Sequence, residues 1–108
     1  VAQTTKETTM SEVHVFATVS AAAGKEDDLR AALVELVEAS HTEPGVVHYI
    51  LHEDPKKLGN FYVFEVYKDQ AAVDAHMGSA HLAAAFAKAG PLLAGAPSIV
   101  PTKVVAGK

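Results

Sequence analysis

The chain has 108 residues, with 9 Lys+Arg against 13 Asp+Glu for a formal charge of −4, 49% apolar content and no cysteine. That length fits one soluble domain with one core, since two domains would each be too small. The scattered bases disfavour nucleic acid and anionic membranes as partners, and the missing cysteine excludes a disulfide framework, a thiolate nucleophile, an iron–sulfur cluster and a thiolate zinc site.

Of the apolar residues, 20 are Ala and bury little area each, so the core is modest and association with a second subunit is an early expectation. The first ten residues are polar and lack the apolar stretch of an export signal, and the longest unbroken apolar run, Leu82 to Ala87, is too short to cross a bilayer. We expect a cytoplasmic protein in which residues 1–10 form a flexible arm and residues 11–108 a single domain.

Val13 to Val19 (VHVFATV) alternates Val13, Val15, Ala17 and Val19 against His14, Phe16 and Thr18, the period of a strand. After Gly24, residues Lys25 to His41 place Leu29, Leu33, Leu36, Val37 and Ser40 on one helical stripe, and the acidic Glu26-Asp27-Asp28 suits a helix N-terminus. Pro44-Gly45 closes that helix. Val46 to Glu53 and Asn60 to Tyr67 are rich in β-formers and flank a loop of hairpin composition, which predicts an antiparallel pair. Asp69 caps a short helix through Met77, and after Gly78, Ser79 caps a second through Lys88, stopped by Gly90-Pro91. Ser98 to Ala106 reads as a last strand, confined by Pro101 to an edge or a bulge.

The order β-α-β-β-α-β, with the second helical segment broken, predicts an α+β ferredoxin-like fold with a four-stranded antiparallel sheet and its helices on one face. Both sides of the third strand are apolar: Phe61, Val63 and Tyr67 share one with Glu65, and Tyr62, Phe64 and Val66 form the other. One face takes the helices, and a second copy of the sheet is the economical cover for the other, giving a two-fold dimer.

Six histidines are a high share for this length, and imidazole is the side chain best suited to proton transfer near neutral pH. His48 and His52 share a strand face but lie too far apart for one metal ion without a bend, and His14 and His41 have no partner pattern. His76 and His81 flank the Gly78-Ser79 break. His76 sits on the apolar stripe with Val73 and Met77, so it points at the sheet and needs a polar partner, for which Glu65 and Tyr67 are the nearest candidates. Two readings stay open: a buried His76 bonded to Glu65 that only holds the core together, or a histidine pair poised for acid–base work. No G-x-S-x-G, G-x-G-x-x-G or Walker A sequence is present, so neither a serine nucleophile nor a phosphate cradle is indicated.

Glu43-Pro44-Gly45, Tyr49 to Pro55 (YILHEDP), Phe61 to Tyr67 (FYVFEVY) and Asp69 to His81 (DQAAVDAHMGSAH) together resemble the antibiotic biosynthesis monooxygenase (ABM) domain family. The most specific part is Glu65 and Tyr67 followed by Ala75, His76, Ser79 and His81. The resemblance implies a homodimeric α+β barrel of two ferredoxin-like sheets. Its members range over quinol monooxygenases, polyketide-oxidising monooxygenases, haem-degrading enzymes and an isomerase of a phosphorylated autoinducer, so fold alone leaves the reaction open. The haem branch fits poorly: this chain has no Trp, carries Tyr67 at the family's Trp position and Phe86 near its ligating His, and has no Asn in the first strand.

The monooxygenase branch implies chemistry without flavin, metal or other cofactor, in which a deprotonated quinol or phenol reduces oxygen itself. The resemblance then makes His76 or His81 the base, Tyr67 and Glu65 the groups that orient the substrate hydroxyls, and Val63, Met77, Leu82 and Phe86 the apolar substrate-binding walls. The implied partners are a small aromatic or quinol-like substrate and a second subunit. A metal-free isomerase, short of inward Lys or Arg for a phosphate, and a non-catalytic dimeric small-molecule-binding or stress-response domain are the alternatives.

Overall fold

A computed structural model describes residues 11–107; the expected arm at residues 1–10 lies outside the described residues. The elements are β1 (Val13–Ser20), α1 (Glu26–Ser40), β2 (Val46–Glu53), β3 (Asn60–Tyr67), α2 (Gln70–Met77), α3 (Ala80–Ala89), a 3-10 turn (Gly90–Leu92) and β4 (Ser98–Lys103). The sheet runs β2-β3-β1-β4 with every neighbouring pair antiparallel, which is the ferredoxin-like arrangement.

The caps act where their side chains can reach. The Asp69 carboxylate accepts from the Ala72 N–H at 2.9 Å, and the Ser79 hydroxyl donates to the His76 carbonyl at 2.7 Å while accepting from the Leu82 N–H at 3.3 Å. Ser79 thus closes α2 and opens α3, holding His76 and His81 across one turn. Helix α1 has no side-chain cap, and its first-turn carboxylates Glu26, Asp27 and Asp28 face the positive helix end instead.

Two ends differ from expectation. Gly90-Pro91 does not stop the chain's winding but starts the 3-10 turn, where proline's missing N–H costs nothing. Strand β4 ends at Lys103 rather than Ala106, because the ladder with its partner β1 stops at the Val13–Lys103 pair and Glu12, just before Val13, is outside the strand. Pro101 lies opposite Val15 on this edge strand, a position sheets tolerate.

Strand alternation sends Ala17, Val19, Phe61 and Val63 toward the helices, where they bury against Leu29, Leu33 and Leu36 of α1 and Leu82 and Ala89 of α3, while Val15 buries with Tyr67 against Ala72 and Val73 of α2. On the opposite face Phe16, Ile50, Tyr62 and Val100 remain open, Phe16 at 52% exposure. Arg30 of α1 grips Glu53 through two hydrogen bonds of 2.8 and 2.6 Å, and the Gly59 N–H donates to the same carboxylate at 2.9 Å. The guanidinium first, and then that N–H, hold the Glu53 carboxyl down at about 2. Gly59 at φ +90° lets the β2–β3 loop make this return.

Candidate active site

The turn between α1 and β2 approaches α2 closely at Gly45, where a Cβ would lie 2.5 Å from the Ala72 Cβ. That approach brings Glu43, two residues earlier, onto the end of α2. Glu43 Oε2 is 2.7 Å from Nδ1 of His76 and 2.7 Å from Nε2 of His81. A carboxylate only accepts, so both imidazoles donate to it. The contact therefore holds a proton on Nδ1 of His76 and leaves Nε2 as the ring nitrogen that Glu43 does not engage. The His76 side chain is 2% exposed, Glu43 15% and His81 28%, so the trio runs from the core to solvent.

His76 also lines a narrow cavity of about 60 Å³ between sheet and helices. Its polar lining is Tyr49, Glu65 and His76, and its apolar lining includes Val63, Leu36, Leu82, Met77, Phe86 and Ile99. Met77 and Phe86 stay about half exposed and form the adaptable part of the wall. The His76 ring lies against Tyr49 and Tyr67, with centroids 5.3 and 5.4 Å away.

On β3 the buried Tyr67 hydroxyl donates to Glu65 Oε1. Burial pushes the Glu65 carboxyl up, against the opposing pull of that hydrogen bond and of His76. Burial likewise raises both phenols, with the Glu65 interactions adding to Tyr67, so each stays a neutral donor. The raised Glu65 has a consequence for stability. Above its unfolded value of 4.5, the native state keeps a proton that the unfolded chain has released, so stability falls as pH rises through that window. Glu65→Gln keeps an acceptor for Tyr67 and removes the titration. Its urea midpoint should match wild type near pH 4 and exceed it increasingly toward pH 7; an advantage that does not grow with pH would show that Glu65 is not held in this way.

The sequence-predicted residues divide clearly. Val63, Met77, Leu82, Phe86, Glu65 and His76 meet at one cavity, and Tyr67 supports it through Glu65 and the His76 ring. His81 lies outside it, beside Glu35 and Lys88 between α1 and α3. The expected His76 partner is corrected: its Nδ1 hydrogen bond goes to Glu43, which the close approach of the Gly45 turn to α2 brings to it, while Glu65 accepts from Tyr67. Sequence reading missed Glu43 and Tyr49 as site residues. The signal for Glu43 was its place just before Pro44-Gly45, and for Tyr49 its strand parity. His48 and His52 are exposed on β2, and the ring nitrogen of His41 meets the Tyr49 carbonyl at 3.1 Å.

A sequence model of the antibiotic biosynthesis monooxygenase family matches residues 12–88. Among solved structures, the chain is similar to PA3566 from Pseudomonas aeruginosa (29% identity, 89% of this chain and 96% of that one, TM-score 0.82). It is also similar to Rv0793 from Mycobacterium tuberculosis (28% identity, 90% and 98%, TM-score 0.83). A 52-residue stretch is 35% identical to the uncharacterized protein sll1783 of Synechocystis sp., spanning 48% of this chain but only 35% of that protein. Among the described residues, no helix is long and apolar enough to cross a membrane.

Proposed function

Because the chain belongs to the antibiotic biosynthesis monooxygenase family, we propose that it oxidises a small quinol or phenolic aromatic with molecular oxygen, using no cofactor. The observation that carries this reading is His76, buried, hydrogen-bonded to the Glu43 carboxyl group and lining a mostly apolar cavity. In this scheme Nε2 of His76 takes a proton from a substrate hydroxyl, and Glu43 stabilises the imidazolium that forms. Glu65 and Tyr67 orient the hydroxyls, and the apolar walls keep water from the electron-rich anion. His81 acts through Glu43 as a positioning residue.

The deprotonated hydroquinone then supplies every electron that oxygen requires. One oxygen atom enters the ring, the other leaves as water, and a hydroquinone becomes a hydroxyquinone. Since the cavity is narrow, a ring enters as Met77 and Phe86 shift. Among the described residues that line the cavity there is no Lys or Arg, which argues against a phosphorylated substrate for an isomerase.

Oxygen uptake with a panel of reduced quinones and dihydroxyaromatics tests the proposal. We expect one oxygen consumed per hydroxyquinone formed and no peroxide released. Uptake no faster than autoxidation across the panel, or quinone with peroxide as the products, would overturn it.

The open face of the sheet supports a homodimer in which Phe16, Tyr62, Phe64 and Val100 meet their counterparts. Phe16 and Phe64 already stack at 5.3 Å. Light scattering should give twice the 11.3 kDa chain mass, and Phe16→Glu, which would bury a charge in that interface, should give the single-chain mass. A wild-type protein that stays monomeric at high micromolar concentration would rule the interface out.

A further inference from the structure

The three groups that orient His76 also make a ligand set. Oε2 of Glu43, Nδ1 of His76 and Nε2 of His81 come from three separate segments and lie within 4.8 Å of one another. Two imidazole nitrogens and one carboxylate oxygen suit zinc-class divalent ions, which accept mixed N/O ligands and leave remaining positions to water.

Distances decide whether an ion fits. With metal–ligand bonds of about 2.1 Å, neighbouring ligand atoms stand about 3.0 Å apart in octahedral and about 3.4 Å apart in tetrahedral geometry. The two 2.7 Å contacts to Glu43 must therefore open by a few tenths of an ångström for the first, and the third edge, between the two histidine nitrogens and within 4.8 Å, must close to match. His76 is fixed in the core, while the more exposed His81 and Glu43 have room to make that adjustment and give an ion a route from solvent. A ligating imidazole commonly donates its other N–H to a carboxylate, and Glu65 lines the cavity that His76 faces.

We propose that Glu43, His76 and His81 bind a zinc-class divalent ion, and that the ion switches off His76 as a base. When the metal occupies Nδ1 of neutral His76, the displaced proton moves to Nε2. The nitrogen facing the cavity then donates and no longer accepts a substrate proton. The binding half stands on the ligand geometry alone; the inhibitory half rests on the base role proposed above.

Metal-free protein titrated with Co2+ and followed by visible ligand-field absorption tests the binding half without any substrate. A band saturating at one equivalent and bleached by Zn2+ is expected. Glu43→Gln and His81→Asn, each checked for folding by circular dichroism, should weaken Co2+ binding at least about tenfold. The His48→Gln/His52→Gln double variant should leave it unchanged. Absence of the band, or a band indifferent to both Glu43→Gln and His81→Asn, overturns the site.

Oxygen uptake then separates the two readings. Suppression by Zn2+ with recovery in EDTA supports the switch, and a Co2+ band with undiminished uptake in Zn2+ overturns it. Uptake absent in EDTA and restored by a divalent ion would uphold the site while overturning metal-free chemistry. Uptake absent in every condition, with the band present, would overturn the monooxygenase proposal and the switch but leave the ion site standing.

Discussion

His76→Gln should lower kcat/KM for the oxygen-dependent reaction by about 10²–10⁴, the usual contribution of one positioned general base. The amide retains a donor for Glu43 and a similar size, so the cavity keeps its shape while losing its only ring nitrogen. The acid limb of the kcat/KM profile, where a protonated base limits the rate, should vanish with it. His81→Gln is the discriminating comparison. His81 reaches Glu43 Oε2 at 2.7 Å but lies outside the cavity, so its replacement should cost less than about tenfold and preserve the acid limb. The reverse order of effects, measured by oxygen uptake across pH, would make His81 the base.

Phe61→Ala should destabilise the fold by about 3–5 kcal/mol. Phe61 has 0% exposure and sits among Val19, Leu29, Leu33 and Ala89. The Arg30 guanidinium lies over its ring at 5.7 Å. Truncation loses the buried aromatic area and leaves a cavity whose walls are backbone-anchored strands and α1, with little freedom to collapse. Against a total stability of about 5–15 kcal/mol for a domain, this is a large fraction, and the thermal midpoint should fall by about 15 °C or more. Thermal melts at fixed protein concentration check it, since dimerisation would make the midpoint concentration-dependent. A shift of only a few degrees would mean that the neighbouring side chains refill the space.

The elements were legible because their signals are local. The alternation of Val13 to Val19 set β1, the Leu29-Leu33-Leu36 stripe set α1, and Asp69 and Ser79 announced two caps that the structure uses as caps. Parity along Asn60 to Tyr67 put Val63 and Glu65 on one face and Phe64 on the other, and the structure buries the Val63 and Glu65 face. The end of β4 was not legible, since Val104 and Val105 favour a strand as well as their neighbours do. What ends the strand is the end of its ladder with β1 at the Val13–Lys103 pair, since Glu12, just before Val13, is no longer in the strand.

The site divides along the same line. Helical spacing alone sufficed to point His76 inward, because residues within one element keep their relative orientation in any packing; Val63, Leu82 and Phe86 come from other elements and were grouped with it by the family resemblance. Which carboxylate meets His76 is a contact across 33 residues, decided by how closely the Gly45 turn approaches Ala72. The local pattern along this chain thus determined which side chains face inward. Tertiary packing alone decided that Glu43 joins two histidines, because a hydrogen bond between distant segments depends on backbone separations that no periodicity encodes.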